Sequence, residues 1–490
     1  MLCISIAPES RRLGRVDLYN AASQADLVEF RLDRLGKTPD IAELLEGATK
    51  PVLFSCRRRS DGGLWNESED ERLQLLRSAI VAGPAYVELE LDVAAKIPRF
   101  GKTKRVVSFT SLTEPLGQIE SLYEQAIKAQ ADVVKLVGPT TTLDIAWPLL
   151  AAVSKRRDIP LVGMGLGRQG LTFTLLGLKH GSPWIYAALE KGLEAFPGQA
   201  TVAELDDIYR WRQIGPQTRF VAVAGFEPTD VATVKVLNAG FAANQLNVRC
   251  LPLEIGTSDK FPKRLETLQV DVVAANSQSS ERALELSQVP EDAARISRSA
   301  DLLVKQSDGW HGLNTLWRAA LRSIEASLGA TAPEDRPLDR RNVLIVGAGG
   351  LARGVAYGIQ RRKGLISITG SNNDEAQAAA ESCGARHVPI MNMYDTLCDV
   401  IVFAEEPPPA GGKPNVKINP SFLRPHMTVI DLTDLPRETQ MLREARERGC
   451  KVVEPMDVLY ERLAVVFKTI AGKDLSREVM HAALGDSLAE

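Results

Sequence analysis

A lysine that closes an apolar run can do carbonyl chemistry. Lys135 ends the run ADVVK. At the end of an inward-facing strand an amine is poorly solvated. Desolvation favours the neutral form, which can attack a ketone to give a Schiff base. A lone lysine of this kind more often just follows a strand into solvent. Here its neighbours matter. Glu29 and Arg31 sit in VEFRLD, Arg57 in FSCRRR and Glu90 in VELELD, and each also ends an apolar run. Charges gathered at one mouth pair with and shift one another. Alternation along VELELD turns Glu88 and Glu90 to the same side, so both face inward, which is unusual for solvated carboxylates.

The elements that must hold these groups are short and regular. LCISI, LVEF, VLFSC, YVELEL, RVVSF, DVVKL, LVGM and WIYAAL read as strands, with helical patterns such as ERLQLLRSAIVAG and QIESLYEQAIKAQ between most of them. Eight strand–helix units, roughly 20–30 residues apart, predict a parallel sheet closed as a (βα)8 TIM barrel, with its chemistry at the C-terminal strand ends. GLGRQG, residues 165–170, fits a dinucleotide fingerprint, but the acidic partner expected about 20 residues later is missing, so it reads as a barrel loop.

With 490 residues the chain has room for about three domains. Its net charge of −3, with no basic stripe, disfavours nucleic-acid and membrane-surface partners. Six cysteines stand singly, without a CxxC pair, as free thiols of a reducing compartment do. The opening MLCISIAPE reads as a strand rather than a signal peptide, and no apolar run approaches the ~20 residues of a membrane span. A cytoplasmic protein without a metal is expected.

VEFRLDRL, SCRRRSDGG, YVELELDVA, ADVVKL, HGSPWIYAALE and FPGQATVAEL together resemble type I 3-dehydroquinate dehydratase over residues 1–213. The resemblance implies Schiff-base dehydration of 3-dehydroquinate on Lys135, with Glu90 as the second catalytic candidate. Glu29, Arg31 and Arg57 would hold substrate hydroxyls, and Gln199 would close over the ring. Two departures follow. The family's general-base histidine falls at Thr110 in SFTSL, and no histidine precedes His180. A hydroxyl cannot do imidazole's work near neutrality. The family's carboxylate-binding Ser–Arg pair falls on Phe173–Thr174, which leaves Arg168 as the nearby substitute.

Beyond GPQT, residues 215–218, a second series of strands and helices begins. RNVLIVGAGGLARGVAYGIQRR reads as a strand, a glycine-rich turn and a helix. Gly347, Gly349 and Gly350 would let a pyrophosphate approach the helix N-terminus. The next strand, LISIT, runs into Gly370-Ser371-Asn372-Asn373, so Asn372 is the candidate ribose contact, with neither the acid that favours NAD nor the arginine that favours NADP. LNAGF, HGLNTL, VGAGGLARG and VLYERLAVVFKTIAGKDLSREVM resemble shikimate dehydrogenase over residues 219–490, and the order of the two halves resembles the bifunctional fusion of plants. By that resemblance Thr233 and Asn314 bind substrate. The catalytic aspartate falls at Leu316, and the lysine stretch falls on VVAANSQ, which has none.

The expected architecture is α/β: a dehydratase-like TIM barrel at 1–213, then a two-domain unit resembling shikimate dehydrogenase. That unit comprises a substrate-type domain at 219–330, a Rossmann domain at 338–462 and C-terminal helices at 463–490 that pack back on the substrate-type domain. The resemblance implies dehydration of 3-dehydroquinate followed by NAD- or NADP-dependent reduction of 3-dehydroshikimate. The alternatives are a degenerate pseudoenzyme that binds a metabolite, dinucleotide or partner, and a barrel with lysine-dependent lyase activity on another keto acid. The expected partner is a small keto acid or cyclohexane carboxylate. Oligomeric state is not legible.

Overall fold

The computed structural model describes residues 1–36, 40–196, 198–332, 334–408 and 414–485. Pro197 of FPGQATVAEL, Pro333 of the linker and positions 486–490 of the C-terminal segment lie outside them. The chain divides into two compact units, Met1–Arg219 with Asn247–Ser258, and Phe220–Leu246 with Asp259–Glu490.

In the first unit the predicted strands are all present: β1 (Leu2–Ile6), β2 (Leu27–Arg31), β3 (Val52–Ser55), β4 (Tyr86–Glu90), β5 (Lys104–Thr110), β6 (Val133–Pro139), β7 (Leu161–Leu166) and β8 (Ile185–Ala187). They form one parallel sheet in the order β7-β6-β5-β4-β3-β2-β1-β8. The last strand pairs with the first, Cys3 opposite Tyr186, so the sheet is barrel-like with β7 and β8 at its two edges. The strands are covered on both faces and so read as near-continuous apolar runs. Local signals set the helix ends: Ser68 and Glu71 form a reciprocal capping box at Glu69–Ala82, and Gly83 ends that helix with φ +79°. Gly163 in β7 admits the Phe173 ring, whose edge lies 2.5 Å from where a Cβ would stand.

The second unit contains two sheets. In one, the parallel strands Arg219–Ala224 and Val270–Ala275 are followed by the antiparallel Leu302–Gln306, then by Gly309–Leu313 and Val289–Pro290. The other is wholly parallel. Its strand Asn342–Val346 lies between Leu365–Thr369 on one side and Val400–Phe403 on the other, the strand reversal of a doubly wound dinucleotide fold. The α/β architecture expected from the alternation is therefore observed in both halves.

Helix Gly350–Arg361 carries glycine at every fourth position, and this stripe lets Leu316–Ser327 come close. A Cβ on Gly358 would stand 2.7 Å from the Trp317 ring. Helix Pro455–Ala471 runs unbroken through position 462 and packs on Leu316–Ser327 and on Pro228–Ala243. The Phe241 and Phe467 rings meet there at 5.3 Å, and Arg477–Leu484 packs on the same Pro228–Ala243 helix. All six cysteines are buried. No helix among the described residues is long and apolar enough to cross a membrane.

The glycine stripe can be tested by overpacking. Gly358→Val is expected to cost about 1–3 kcal/mol. Gly215→Ala, with no atom within 4 Å of its Cβ position, should cost nothing measurable. Calorimetric melting of the full chain reads both, and an unchanged midpoint for Gly358→Val would contradict the helix contact.

Candidate functional site

Successive even-numbered barrel strands place one polar side chain each at the same depth. Glu29 comes from β2, Glu88 from β4, Lys135 from β6 and Tyr186 from β8. In a closed parallel barrel the strands tilt, so a layer of side chains is drawn from alternate strands. Lys135 is fully buried. Its Nζ lies 2.9 Å from Glu88 Oε2, 3.8 Å from Glu29 Oε1 and 4.3 Å from the centre of the Tyr186 ring.

Arg57, just past β3, closes the cluster. Its Nη2 donates to Glu29 Oε1 at 2.7 Å and to Glu88 Oε2 at 3.3 Å. The hydroxyls of Ser5 and Ser55 also donate to Glu29, at 2.7 and 2.9 Å. Two carboxylates thus face two cations inside the barrel, and their charges balance. Burial alone would raise the Glu29 carboxyl, yet Lys135 and Arg57, helped by Ser5 and Arg31, hold it well below the usual carboxylate range. Burial likewise opposes the Arg57 charge, but Glu88 and Glu29 raise its pKa above the ordinary value. Burial pushes the Tyr186 phenol far up, and Glu29 adds to the effect.

One edge of the cluster is unused. Arg57 Nε and Nη1, Gln199 Nε2 and the Tyr186 hydroxyl are buried without a partner among the described residues. The Phe196 ring lies 4.7 Å from the Arg57 guanidinium carbon. Gln199 Oε1 accepts from Ala195 N at 2.7 Å, which fixes the amide on the loop after β8. Such a set of stranded N–H groups can receive the carboxylate or hydroxyls of a small ligand.

Other candidates are spent elsewhere. Arg31 grips Asp33, with Nη2 2.7 Å from Oδ2, and Asp33 also accepts from the backbone N–H of Arg57 and Leu64. Glu90 does not face Lys135. It sits opposite Ser108, which in turn sits opposite Lys135, but barrel tilt brings Glu88 to the amine instead. At the strand's end Glu90 takes Arg72 Nη1 at 2.9 and 3.0 Å, and burial raises its carboxyl despite that partner. Sequence alternation turned Glu88 inward with Glu90, but the candidate drawn from the resemblance was Glu90, whereas the carboxylate on the amine is Glu88.

Thr110 ends β5 half-buried, so no imidazole stands at that strand end. Phe173 packs into the core over Gly163, and Thr174 Oγ1 bonds Gly170 O, so neither offers a carboxylate contact. Arg168 is exposed and acts on Glu254, whose carboxyl burial raises while Arg168 opposes the shift.

In the second unit Thr233 turns its hydroxyl back to Thr229 O at 2.8 Å. Asn314 Nδ2 donates to Ser297 Oγ at 2.9 Å, while its Oδ1 is buried without a partner among the described residues. Leu316 begins a helix whose first amides are capped by buried Asp301: Thr315 N and Leu316 N donate to its carboxylate at 2.6 and 2.7 Å. Gly347 has φ +135° and Gly349 precedes helix Gly350–Arg361, so the tight turn is present. Asn372 Oδ1 caps the next helix through Asp374 N and Glu375 N, at 3.2 and 3.4 Å. The sequence reading missed Asp301 because a lone aspartate between strands carries no local pattern.

Residues 2–216 match the family described as Type I 3-dehydroquinase. The chain is 26% identical over 483 residues to a bifunctional 3-dehydroquinate dehydratase/shikimate dehydrogenase, chloroplastic, of Arabidopsis thaliana, a match covering 93% of this chain and 80% of that protein. It is 30% identical over 210 residues to a 3-dehydroquinate dehydratase of Dehalococcoides mccartyi, covering 41% of this chain and 91% of that one. Over 250 residues it is 27% identical to a shikimate dehydrogenase (NADP(+)) of Syntrophobacter fumaroxidans, covering 50% of this chain and 84% of that one.

The charge cluster has a pH signature. Glu29 ionises more readily in the folded barrel than in the unfolded chain, where its pKa is about 4.3. Its stabilisation is therefore fully present above that value and fades as pH falls further. Glu29→Gln should cost about 3–5 kcal/mol at pH 7, since it leaves two buried cations facing one carboxylate. Urea unfolding at pH 7 and at pH 3 should show the gap to the parent narrowing with acid; a constant gap would contradict the assignment.

Proposed function

Since the chain belongs to the type I 3-dehydroquinase family through residues 2–216, we propose that its barrel captures a cyclic keto acid of the 3-dehydroquinate type as an imine on Lys135. The observation that carries this is the buried amine on Glu88, a carboxylate it shares with Arg57, whose Nε and Nη1 have no partner among the described residues. Lys135 passes a proton to Glu88, the freed amine adds to the ketone, and the carbinolamine takes that proton on its hydroxyl and loses water to give an iminium. The adjacent C–H is thereby acidified. Arg57 and Gln199 supply donors to the ring's carboxylate and hydroxyls, while Arg31 acts through Asp33 to hold the strand ends in place.

Completing the elimination requires removal of that proton and loss of a hydroxyl as water. With Thr110 where the family places its imidazole, the acceptors beside Lys135 are Glu88 and Glu29. Both are committed to cations, so this step is slow. Loss of a positioned general base typically costs about 10²–10⁴-fold. The barrel therefore binds and traps its keto acid better than it turns it over.

The second half is assigned a non-redox role. The position matching the family's catalytic aspartate is Leu316, which can neither accept nor orient a proton. The cofactor named for the Syntrophobacter relative is not carried over, because Asn372 is spent as a helix cap and no arginine follows the strand Leu365–Thr369. The division into a barrel at 1–213, a substrate-type domain at 219–330, a dinucleotide-type domain at 338–462 and C-terminal helices belongs to the same proposal, as does a cytoplasmic location.

Two experiments test the barrel chemistry. Borohydride reduction in the presence of 3-dehydroquinate should leave a covalent adduct that peptide mass spectrometry maps to Lys135. The adduct should be missing from Lys135→Ala and from samples without reductant, and a folded parent that gives none would sink the proposal. Thr110→His should raise dehydroquinate dehydration by about 10²-fold or more. Ordinary turnover by the parent would show that no base is lacking.

A further inference from the structure

The glycine-rich turn of the second unit is already occupied by the chain itself. After strand Val400–Phe403 come Ala404, Glu405 and Glu406, and both glutamates turn back onto the groups a dinucleotide would use. Glu406 Oε1 accepts from Leu351 N, in the first turn of helix Gly350–Arg361, at 3.1 Å. Its other oxygen lies over Gly349, 2.5 Å from where a Cβ would stand. That helix end, with its free N–H groups and positive dipole, is where a pyrophosphate binds in this fold.

Glu405 takes the second position. Its Oε1 accepts from Ser371 N at 2.6 Å and its Oε2 from Ser371 Oγ at 2.8 Å. Ser371 lies just past the strand end where the adenosine ribose is read. Ser371 Oγ also accepts from Val416 N at 2.7 Å, and Asn415 Nδ2 donates to Glu406 O at 3.0 Å, so the returning segment secures the loop that bears both acids. The nearby cation Arg353 is turned to Ala348 O at 2.7 Å, within the turn rather than out of it.

We propose that Glu405 and Glu406 act as a built-in plug that makes this dinucleotide-type turn refuse NAD and NADP. A phosphate arriving at the helix end would have to displace one carboxylate from a backbone N–H and approach another at short range. Like charges at one site disfavour joint occupancy. A 2′-phosphate would add charge beside Glu405 with no arginine to receive it. The fold is that of a dinucleotide binder and the residues are not.

The test is direct binding, which is independent of the imine chemistry in the barrel. Calorimetric titration of the full chain with NAD⁺ or NADP⁺ should show no saturable binding up to about millimolar concentration, the weak end of specific affinity. The double variant Glu405→Ser/Glu406→Ser removes both charges and leaves hydroxyls that can hold phosphate. It should bind at least one of the two cofactors with about tenfold or greater gain, and the gain should be largest at low salt. The isosteric pair Glu405→Gln/Glu406→Gln, which preserves the packing, should gain in the same direction by less. Micromolar binding by the parent overturns the plug. Variants that keep the parent's melting temperature yet remain as blind to both cofactors also overturn it.

Discussion

Everything in the barrel hangs on one constraint: an amine and a guanidinium cannot be buried in a parallel barrel unless carboxylates go in with them. Lys135 and Arg57 are answered by Glu29 and Glu88, and Ser5 and Ser55 use remaining lone pairs on Glu29. Desolvating four charges is costly, and only close mutual contact offsets it. The network is therefore a device for holding a reactive amine in a fixed place more than a source of stability. The same contacts set its limits. Carboxylates tied to cations make poor proton acceptors, and this is why the proposed reading separates capture of a carbonyl from the later proton transfer.

The second unit follows a parallel logic. Its helix ends carry unsatisfied N–H groups, and the chain supplies its own acceptors for several of them. Asp301 serves the helix that begins at Leu316, Asn372 the one at Asn373, and Glu406 the one at Gly350. Each cap is ordinary by itself and worth about 1 kcal/mol. Together they use up the places where a substrate or cofactor would otherwise find donors. These three helix ends are satisfied from within the chain.

Much of this was legible in the chain. Apolar runs of four to six residues, with amphipathic stretches between most of them, marked all eight barrel strands, because a sheet buried on both faces leaves near-continuous apolar runs. The turn at Gly347 and the strand–turn–helix around it were equally plain. So was the lack of an imidazole or acid where the resemblance calls for one, as at Thr110 and Leu316. The partners of the charges were harder to see. Arg31 pairs with Asp33 only two residues on, whereas the resemblance implied that it held a substrate hydroxyl. Glu405 and Glu406 carry no motif at all. They matter because the loop after Phe403 folds back over a turn more than fifty residues earlier.

The order of amino acids determined the element types, the two successive α/β architectures and the presence of an amine at a strand end, because periodicity and turn chemistry are local properties. Which carboxylate meets that amine was decided by the tilt of the strands, which sets the layers of the barrel interior and selects Glu88 over Glu90. Whether the glycine-rich turn stands open was decided by loop return. Both are matters of distance between residues far apart along the chain, and charges act through distance in space.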